Sequence, residues 1–261
     1  MLILGLGYTA QRLADRLVAD GWTVEATGSA GTMRFDDGDA VRAAIGRASH
    51  ILSSVPPDGD DPVLATYGPA IAASPARWIG YLSSTGVYGD AGGAWVDESA
   101  PIGLGRRQAR TAADLDWQAL RGDVRVFRLP GIYGPGRSAL DRVRQGRAHR
   151  IDLPGQVFSR VHVDDIVLGV MASFTGPSGV YNLADDLPCH QNHVIEAACD
   201  LLGPAPPPLL SLDAAGLSPQ ARAFYAENRR VANGRAKRLL GWRPVHADYR
   251  AGLRACLAEG G

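Results

Sequence analysis

The sequence predicts an α/β fold, in which a doubly wound parallel sheet carries a small C-terminal substrate lobe. Three observations support this prediction. A glycine-rich turn follows the first apolar run, short apolar runs alternate with helix-like stretches, and a segment of almost eighty residues follows the last of these runs. Alternation of strands and helices is typical of a parallel sheet covered on both faces.

The turn is Gly5-Leu6-Gly7-Tyr8-Thr9-Ala10, between the apolar run Leu2-Ile3-Leu4 and a helix-like stretch that ends near Asp20. Gly5 permits a tight turn, Gly7 removes the Cβ that would hold a pyrophosphate away from the backbone, and Ala10 lets the helix pack closely on the sheet. Phosphates would then lie at the helix N-terminus, where N–H groups are free. We interpret the turn, including Tyr8 and Thr9, as a Rossmann-like NAD(P) site; a structural tight turn is the alternative.

Six further strands are predicted from apolar runs in the rest of the chain. They are Val24 to Thr27, His50 to Val55, Trp78 to Ser83, Val124 to Leu129, Val161 to Val163 and Val180 to Leu183. We predict that residues 1–184 form the dinucleotide-binding domain, with 131–160 contributing to the substrate lobe. Residues 185–261 should form most of that lobe, including a helix over Gln191 to Leu202.

Composition restricts the possible functions. The 261-residue chain has 46% hydrophobic residues and balances 27 basic against 27 acidic residues, so we expect no nucleic-acid partner. No apolar run is long enough to span a bilayer and no signal-peptide pattern opens the chain, which predicts a cytoplasmic monomer or homodimer without membrane contact. The three cysteines and six histidines lack metal-ligand spacing, so buried thiols and no metal site are expected.

Four further segments resemble one family, the extended short-chain dehydrogenases/reductases of the NAD-dependent epimerase/dehydratase group. The segments are Leu82-Ser83-Ser84-Thr85-Gly86-Val87-Tyr88-Gly89, the run from Arg128 to Arg137, Val161-His162-Val163-Asp164-Asp165, and Tyr181-Asn182-Leu183. They occur in the family's order and the resemblance covers nearly the whole chain. It implies a Rossmann-like fold, an NAD(P) cofactor and a small-molecule substrate.

The resemblance also implies a catalytic trio that this chain does not retain in full. In active members a Ser or Thr orients the substrate, a Tyr transfers a proton, and a Lys four residues later on the same helix lowers the pKa of that Tyr. Ser84 matches the Ser position, with Thr85 beside it. Lys237 is the only lysine in the chain, so no Tyr-x-x-x-Lys exists upstream of it.

The helix that should carry this pair is predicted within Arg106 to Trp117. Placing Asp114 on the family's acidic residue puts Arg106 at the Tyr position and Arg110 at the Lys position. Arg110 would retain a positive charge. Arg106 cannot act as an acid near neutral pH, because a guanidinium keeps its proton.

Three residues are candidates to replace the missing Tyr. Tyr88 and Tyr133 follow strands, where ligands of open α/β sheets bind, and the pKa of a histidine such as His162 lies near neutrality. The alternative for each is a packing or pocket-lining role. We assign Tyr133, His162 and Arg160 to the substrate region, and we expect Asp164 and Asp165 to cap the following helix.

The type of nicotinamide cofactor is suggested by the end of the second strand. An acidic residue there would bind the ribose of NAD, but Thr27-Gly28-Ser29 occupies this place and Arg34 follows. We therefore favour NADP slightly, with Ser29 and Arg34 as phosphate contacts; Arg34 as a solvated loop charge is the alternative. Val55 and Pro56 are expected beside a cofactor ribose.

The sequence thus predicts an atypical NAD(P)-binding oxidoreductase or epimerase/dehydratase that acts on a small polar or sugar-nucleotide-like substrate. The retained Ser84 and Tyr88 favour this hypothesis. A catalytically silent NAD(P)-binding sensor is the alternative, because the Tyr and Lys are missing.

Overall fold

The computed structural model describes residues 1–103, 105 and 108–260. Its strands are β1 (Leu2–Leu4), β2 (Glu25–Ala26), β3 (His50–Ser53), β4 (Trp78–Ser84), β5 (Trp95–Val96), β6 (Val124–Leu129), β7 (Gly131–Tyr133), β8 (Arg150–Ile151), β9 (Arg160–His162), β10 (Gly179–Asn182), β11 (Leu209–Leu210) and β12 (Arg230–Val231). Its helices are α1 (Tyr8–Ala19), α2 (Gly38–Arg47), α3 (Pro62–Ala72), α4 (Gln108–Leu120), α5 (Ala139–Arg144), α6 (Val163–Ala172), α7 (Gln191–Leu202), α8 (Pro219–Phe224), α9 (Gly234–Leu239) and α10 (Tyr249–Gly260), with a 3₁₀ turn at Thr85–Tyr88.

Six strands form one parallel sheet in the order β10-β6-β4-β3-β1-β2. The chain moves outward from β1 to β2 and then crosses to the other side of β1 at β3. This reversal leaves a crevice beyond the carboxyl ends of β1 and β3, where open α/β sheets bind their ligands. The predicted fold class is confirmed.

Helices cover both faces of the sheet, because alternate residues of each strand point to opposite faces. On one face, Ile3 and Phe127 pack with α1 and α6 in a buried core. On the other face, Leu4 and Val126 pack with α2, α3 and α4. The strands are therefore largely apolar on both faces, as expected for a sheet that is buried on both sides, with the buried Arg125 and Arg128 of β6 as exceptions.

A smaller core lies beyond the carboxyl edge of the sheet, where the sequence predicts the substrate lobe. Residues of α5, α7 and α10 meet there, and Leu140, Ile195 and Leu253 are almost completely buried. The C-terminal segment does not belong to this core alone, because Ala236 and Trp242 pack with the sheet and α6.

Local structure differs from the sequence-based expectation at the start of α6. This helix is capped by His162, whose Nδ1 accepts the N–H of Asp164 at 3.3 Å, so Asp164 and Asp165 lie in its first turn rather than at the cap. Asn233 holds the N-cap position of α9 without a side-chain cap bond, and its amide donates to Ala184 O and Asp186.

All three cysteines are free and buried, which agrees with the expectation of buried thiols. Within the described part of the chain, no helix is long and apolar enough to cross a membrane.

Candidate functional site

A cavity of about 930 Å³ opens at the carboxyl edge of the sheet and extends into the small lobe. It begins at the N-terminus of α1, passes the end of β4, and continues to β9 and α8. Among the predicted site residues, the following line it: Gly7, Tyr8, Thr9, Ala10, Ser84, Thr85, Arg110, Tyr133 and Arg160. Residues from distant parts of the chain therefore meet in one space.

The glycine turn has the geometry that its sequence predicts. Gly5 adopts a φ of +91°, and a Cβ on it would lie 2.7 Å from Cγ2 of Val55. Its N–H donates to Oγ1 of Thr27 at 3.0 Å, and the Ser54 hydroxyl donates to its carbonyl. A Cβ on Gly7 would meet no protein atom within 4 Å, so this position faces open space in the crevice.

Helix α1 begins at this turn without a side-chain cap. The N–H groups of its first turn have no acceptor within the helix and remain available to an anion. Ala10 is 1% exposed and packs in the core, as predicted. Tyr8 lines the cavity next to this helix start. Its hydroxyl donates to Pro135 O at 3.1 Å, and the Arg137 guanidinium lies 5.5 Å from its ring centre.

Ser84 lies at the end of β4, and its Oγ accepts the N–H of Gly86 at 3.1 Å. This contact fixes the side chain at the start of the 3₁₀ turn. It uses an acceptor site of the hydroxyl and leaves the hydroxyl hydrogen free to donate into the cavity. Thr85, which is 4% exposed, lies beside it.

Arg110 lies on α4 and lines the same cavity as Ser84. Its Nη1 donates to the Tyr81 hydroxyl at 2.8 Å and to Leu82 O at 3.4 Å. Tyr81 is in turn stacked on Trp117, with ring centres 5.3 Å apart. The guanidinium is thus held at the cavity wall by the same strand that carries Ser84. Arg106, placed by the sequence at the family's Tyr position, lies outside the described residues.

Tyr88 does not line the cavity. It is 2% exposed, its hydroxyl donates to Oδ1 of Asn182 at 2.8 Å and accepts from Arg128 at 3.1 Å, and burial raises its pKa. Arg128 also binds Asp114, which accepts the Ser83 hydroxyl at 2.6 Å. The family-like segments therefore meet in a buried network, and this geometry argues against proton transfer by Tyr88.

Tyr133 and His162 differ in their access to the cavity. Tyr133 lines it, but its hydroxyl is buried against α10 at Gly252, and burial raises its pKa strongly. His162 is completely buried and does not line the cavity; its ring lies 4.0 Å from that of His246. Burial and His246 lower the pKa of His162. His162 is thus a neutral helix cap, which argues against a proton-transfer role.

The residues predicted to contact the adenosine half of the cofactor lie outside this cavity. Arg34 is exposed and forms a two-point ion pair with Asp36, at 2.7 and 2.9 Å. Asp37 caps α2 by accepting the N–H of Ala40. Val55 lies against Gly5, while Ser29 and Pro56 are not among the lining residues.

Sequence reasoning missed the far end of the cavity. Its lining includes Phe158, Gln191, Phe224 and Tyr225, together with residues from α5 and the turn that follows it. Of the C-terminal arginines at 222, 229, 230 and 235, Arg229 lines the cavity. The paired aromatic positions at 224 and 225 were the signal available in the sequence.

Within the described residues, no three His, Cys, Asp or Glu side chains are grouped so that they could hold a metal ion.

No family model matches the chain, but solved structures and curated relatives do. A solved structure of a conserved protein of unknown function from Silicibacter pomeroyi is 41% identical, with 99% of each chain covered and a TM-score of 0.88. The chain belongs to the same family as this protein. Two curated relatives are each 29% identical.

One of these relatives is the Escherichia coli (strain K12) protein YeeZ, for which the match covers 78% of this chain and 84% of YeeZ. The other is a 3-diazoavenalumate denitrifying reductase from Streptomyces. This second match covers 60% of the chain and 58% of the reductase, so the chain matches little more than half the length of that relative.

More distant solved structures share the fold. MoeE5 with UDP-glucuronic acid and NAD is 20% identical, with 98% of this chain and 97% of that chain covered and a TM-score of 0.77. The human epimerase family protein SDR39U1 with NADPH is 18% identical, with 98% and 99% covered and the same TM-score. This chain thus shares the fold of these NAD- and NADPH-bound structures, in agreement with the predicted α/β fold class.

Proposed function

We propose that this chain is an NAD(P)-dependent oxidoreductase or epimerase/dehydratase that passes a hydride between nicotinamide and a small polar substrate. One observation carries the proposal. A single cavity connects the open helix N-terminus at Gly7 with the hydroxyl of Ser84 and the guanidinium of Arg110. A cofactor that binds through its pyrophosphate at α1 would extend its nicotinamide toward these polar groups.

The comparisons support the proposal. The two fold neighbours described above carry NAD and NADPH, and the Streptomyces relative is named as a reductase. The relative's name favours reduction by hydride transfer. Sugar nucleotides remain substrate candidates because MoeE5 contains one.

The nicotinamide supplies or accepts the hydride when it is bound, and the protein must orient the substrate and stabilise charge. Ser84 has a free hydroxyl hydrogen that would donate to a substrate oxygen. Arg110 would stabilise negative charge developing on that oxygen, because its donors and its charge are fixed in place before reaction. Since a guanidinium does not release its proton near neutral pH, we assign Arg110 electrostatic stabilisation and not general acid catalysis.

We favour NADP over NAD, because carboxylates near the end of β2 are already occupied. Asp36 binds Arg34, Asp37 caps α2, and the hydroxyl of Thr27 accepts the N–H of Gly5. A ribose 2′-hydroxyl would therefore lack the usual acidic acceptor. The Nη1 group of Arg34, which neither bond to Asp36 uses, would donate to a 2′-phosphate.

Titration with NADPH and NADH, followed by nicotinamide fluorescence and calorimetry, tests cofactor binding. Gly7→Val should weaken binding at least tenfold without unfolding the protein, because a Cβ there meets no protein atom. Gly46→Val is the matched control, since Gly46 lies on α2 and its Cβ direction is also open. Equal binding by wild type and Gly7→Val, or absence of binding by the folded wild type, would refute the assignment.

Hydride transfer requires a separate experiment. NADPH deuterated at C4 should exchange its label with a substrate from a panel of carbonyl compounds and sugar nucleotides, and Ser84→Ala should lower the exchange rate about tenfold to a hundredfold. Cofactor binding without exchange across the panel would instead favour the sensor function. A sensor would bind a partner with different affinity in the presence and absence of cofactor.

A further inference from the structure

Arg160 is a buried cation at the cavity wall. Its side chain is 6% exposed, and its guanidinium donates to Sγ of Cys189 at 2.9 Å and to Oε1 of Gln191 at 3.4 Å. Both acceptors are uncharged in these contacts. Among the described residues, no carboxylate lies within 4 Å of the Arg160 guanidinium. A guanidinium removed from water without a countercharge is costly, so the site favours an anionic ligand.

The nearby carboxylate does not remove this requirement. Asp185 is almost completely buried, and its backbone N–H donates to Arg160 O at 2.7 Å. Burial raises the pKa of Asp185 to about 7, against the opposing effect of Arg160. Asp185 forms no ion pair with Arg160, and its raised pKa weakens the countercharge that it offers near neutral pH.

Aromatic and apolar side chains line the same cavity as this cation, which itself lies 5.8 Å from the ring centre of Tyr249. Phe158 packs edge-on against Tyr225, with ring centres 5.4 Å apart. Phe224 also lines the cavity although 53% of it is exposed, and Val194 and Leu253 complete the apolar wall. An exposed aromatic side chain beside a cavity provides a surface on which a planar ligand can stack.

The same cavity carries further arginines at its edge. Arg142 and Arg147 line the cavity, and Asp141, whose carboxylate accepts hydrogen bonds from Ser138 in the capping box of α5, is the acidic residue that adjoins Arg142 in sequence. Two arginines therefore face one carboxylate on α5 and the turn that follows it. Charge at the rim would attract an anion toward the buried guanidinium.

Resting on the function proposed above, we propose that the substrate is an aromatic anion, whose carboxylate or phosphate binds Arg160 and whose ring packs against Phe158, Phe224 and Tyr225. A nucleoside diphosphate sugar also carries a ring and phosphates, but it joins them through a ribose and ends in a polar sugar, so it is a different class of ligand.

Calorimetric titration of the wild type with cinnamate, phenyl phosphate, cinnamyl alcohol and UDP tests this assignment. Cinnamate or phenyl phosphate should bind at least tenfold more tightly than neutral cinnamyl alcohol, and the preferred member of the pair identifies the anion. Tighter binding of UDP than of both aromatic anions, or equal binding of cinnamate and cinnamyl alcohol, would overturn the proposal.

Variants test the contribution of charge to ligand affinity separately from the contribution of ring contact. Arg160→Gln should abolish the preference for the anion, whereas Arg160→Lys should keep part of it. Because Arg160 is buried, Arg142→Gln provides a second test at an exposed lining position, with an expected threefold to tenfold loss. Arg144→Gln, also on α5 but not lining the cavity, is the charge-matched control and should bind as the wild type does.

Phe224→Ala should weaken both aromatic anions about threefold to tenfold without loss of folding, because the side chain is largely exposed. Unchanged affinity in Arg160→Gln, Arg142→Gln and Phe224→Ala would refute the site. NADPH binding by the wild type is measured in parallel: its absence would refute the proposed function, whereas its presence without anion binding would refute only this inference.

Discussion

Arg128 and Asp114 form a two-point ion pair that is removed from solvent, with Nη2 to Oδ1 at 2.8 Å and Nε to Oδ2 at 3.1 Å. The side chains are 3% and 0% exposed. The pair joins β6 to α4 and holds Ser83 and Tyr88 through further hydrogen bonds. It thereby fixes α4, which carries Arg110, against the strand that carries Ser84.

We expect Arg128→Met to destabilise the protein by about 3–5 kcal/mol, because Asp114 would remain buried without its partner. Urea unfolding measures this change. Arg16→Ala is the control, since the Arg16–Asp20 pair on α1 is exposed and its loss should cost less than about 1 kcal/mol. Similar losses in the two variants would contradict a structural role for the buried pair.

The tethering of Arg110 by Tyr81 predicts a graded effect on the rate of hydride transfer. Arg110→Gln removes the charge and should lower the rate of deuteride transfer from labelled NADPH about tenfold, while Tyr81→Phe removes one hydrogen bond and should lower it about threefold. Tyr67→Phe, which also removes a hydroxyl hydrogen bond but on α3, should leave this rate unchanged. A larger loss in Tyr67→Phe than in Tyr81→Phe would exclude the positioning role.

Close packing between Tyr133 and α10 predicts a steric effect. A Cβ on Gly252 would lie 2.6 Å from Cε2 and Cζ of the Tyr133 ring, so Gly252→Ala should destabilise the protein by about 1–3 kcal/mol. Gly260→Ala in the same helix should have little effect, because nothing lies near its Cβ position. In a double-mutant cycle, Tyr133→Leu should relieve part of the cost of Gly252→Ala; strict additivity would show that the two positions do not clash.

His50 predicts a pH dependence of stability. It is buried among Trp22, Trp78 and Phe174, and burial, followed by neighbouring positive charges, lowers its pKa from 6.5 to about 4. The folded state therefore keeps His50 neutral between these values while the unfolded state binds a proton. His50 contributes full stability above about pH 6.5 and loses it as the pH falls toward 4.

The expected loss attributable to His50 is about 1–3 kcal/mol, because each unit of pKa difference corresponds to about 1.36 kcal/mol. Unfolding free energies of wild type and His50→Gln, measured from pH 7.5 to 4, isolate this contribution. The variant should be less stable at neutral pH, but the difference should narrow in acid. A constant difference across the range would show that His50 titrates alike in both states.

Much of the fold could be predicted from the sequence, because the relevant signals are local. Helix α7 and strands β1 and β6 have the predicted boundaries, and the other predicted strands differ by one or two residues at one or both ends. The turn at Gly5 has the left-handed φ that its role requires. These signals are properties of residues that are neighbours in the chain: the alternation of strands and helices, the missing Cβ of Gly5, and the composition of each apolar run.

The candidate site was only partly predictable, because side-chain direction and partner choice depend on distant residues. The sequence placed Ser84, Arg110 and Arg160 near a ligand, and all three line the cavity. It could not distinguish Tyr88, whose hydroxyl is bound by Asn182 and Arg128 from other strands, from a tyrosine that faces a substrate.

The sequence by itself determined the parallel sheet, the glycine turn and the absence of any Tyr-x-x-x-Lys, since each depends on residue type and spacing. Only the tertiary structure decided that His162 caps a helix and does not line the cavity, that Arg34 is paired with Asp36, and that Arg160 lines one cavity together with the aromatic residues at 158 and 225. Such contacts join segments far apart in the chain, and long-range packing selects which polar groups become buried and which remain open to a ligand.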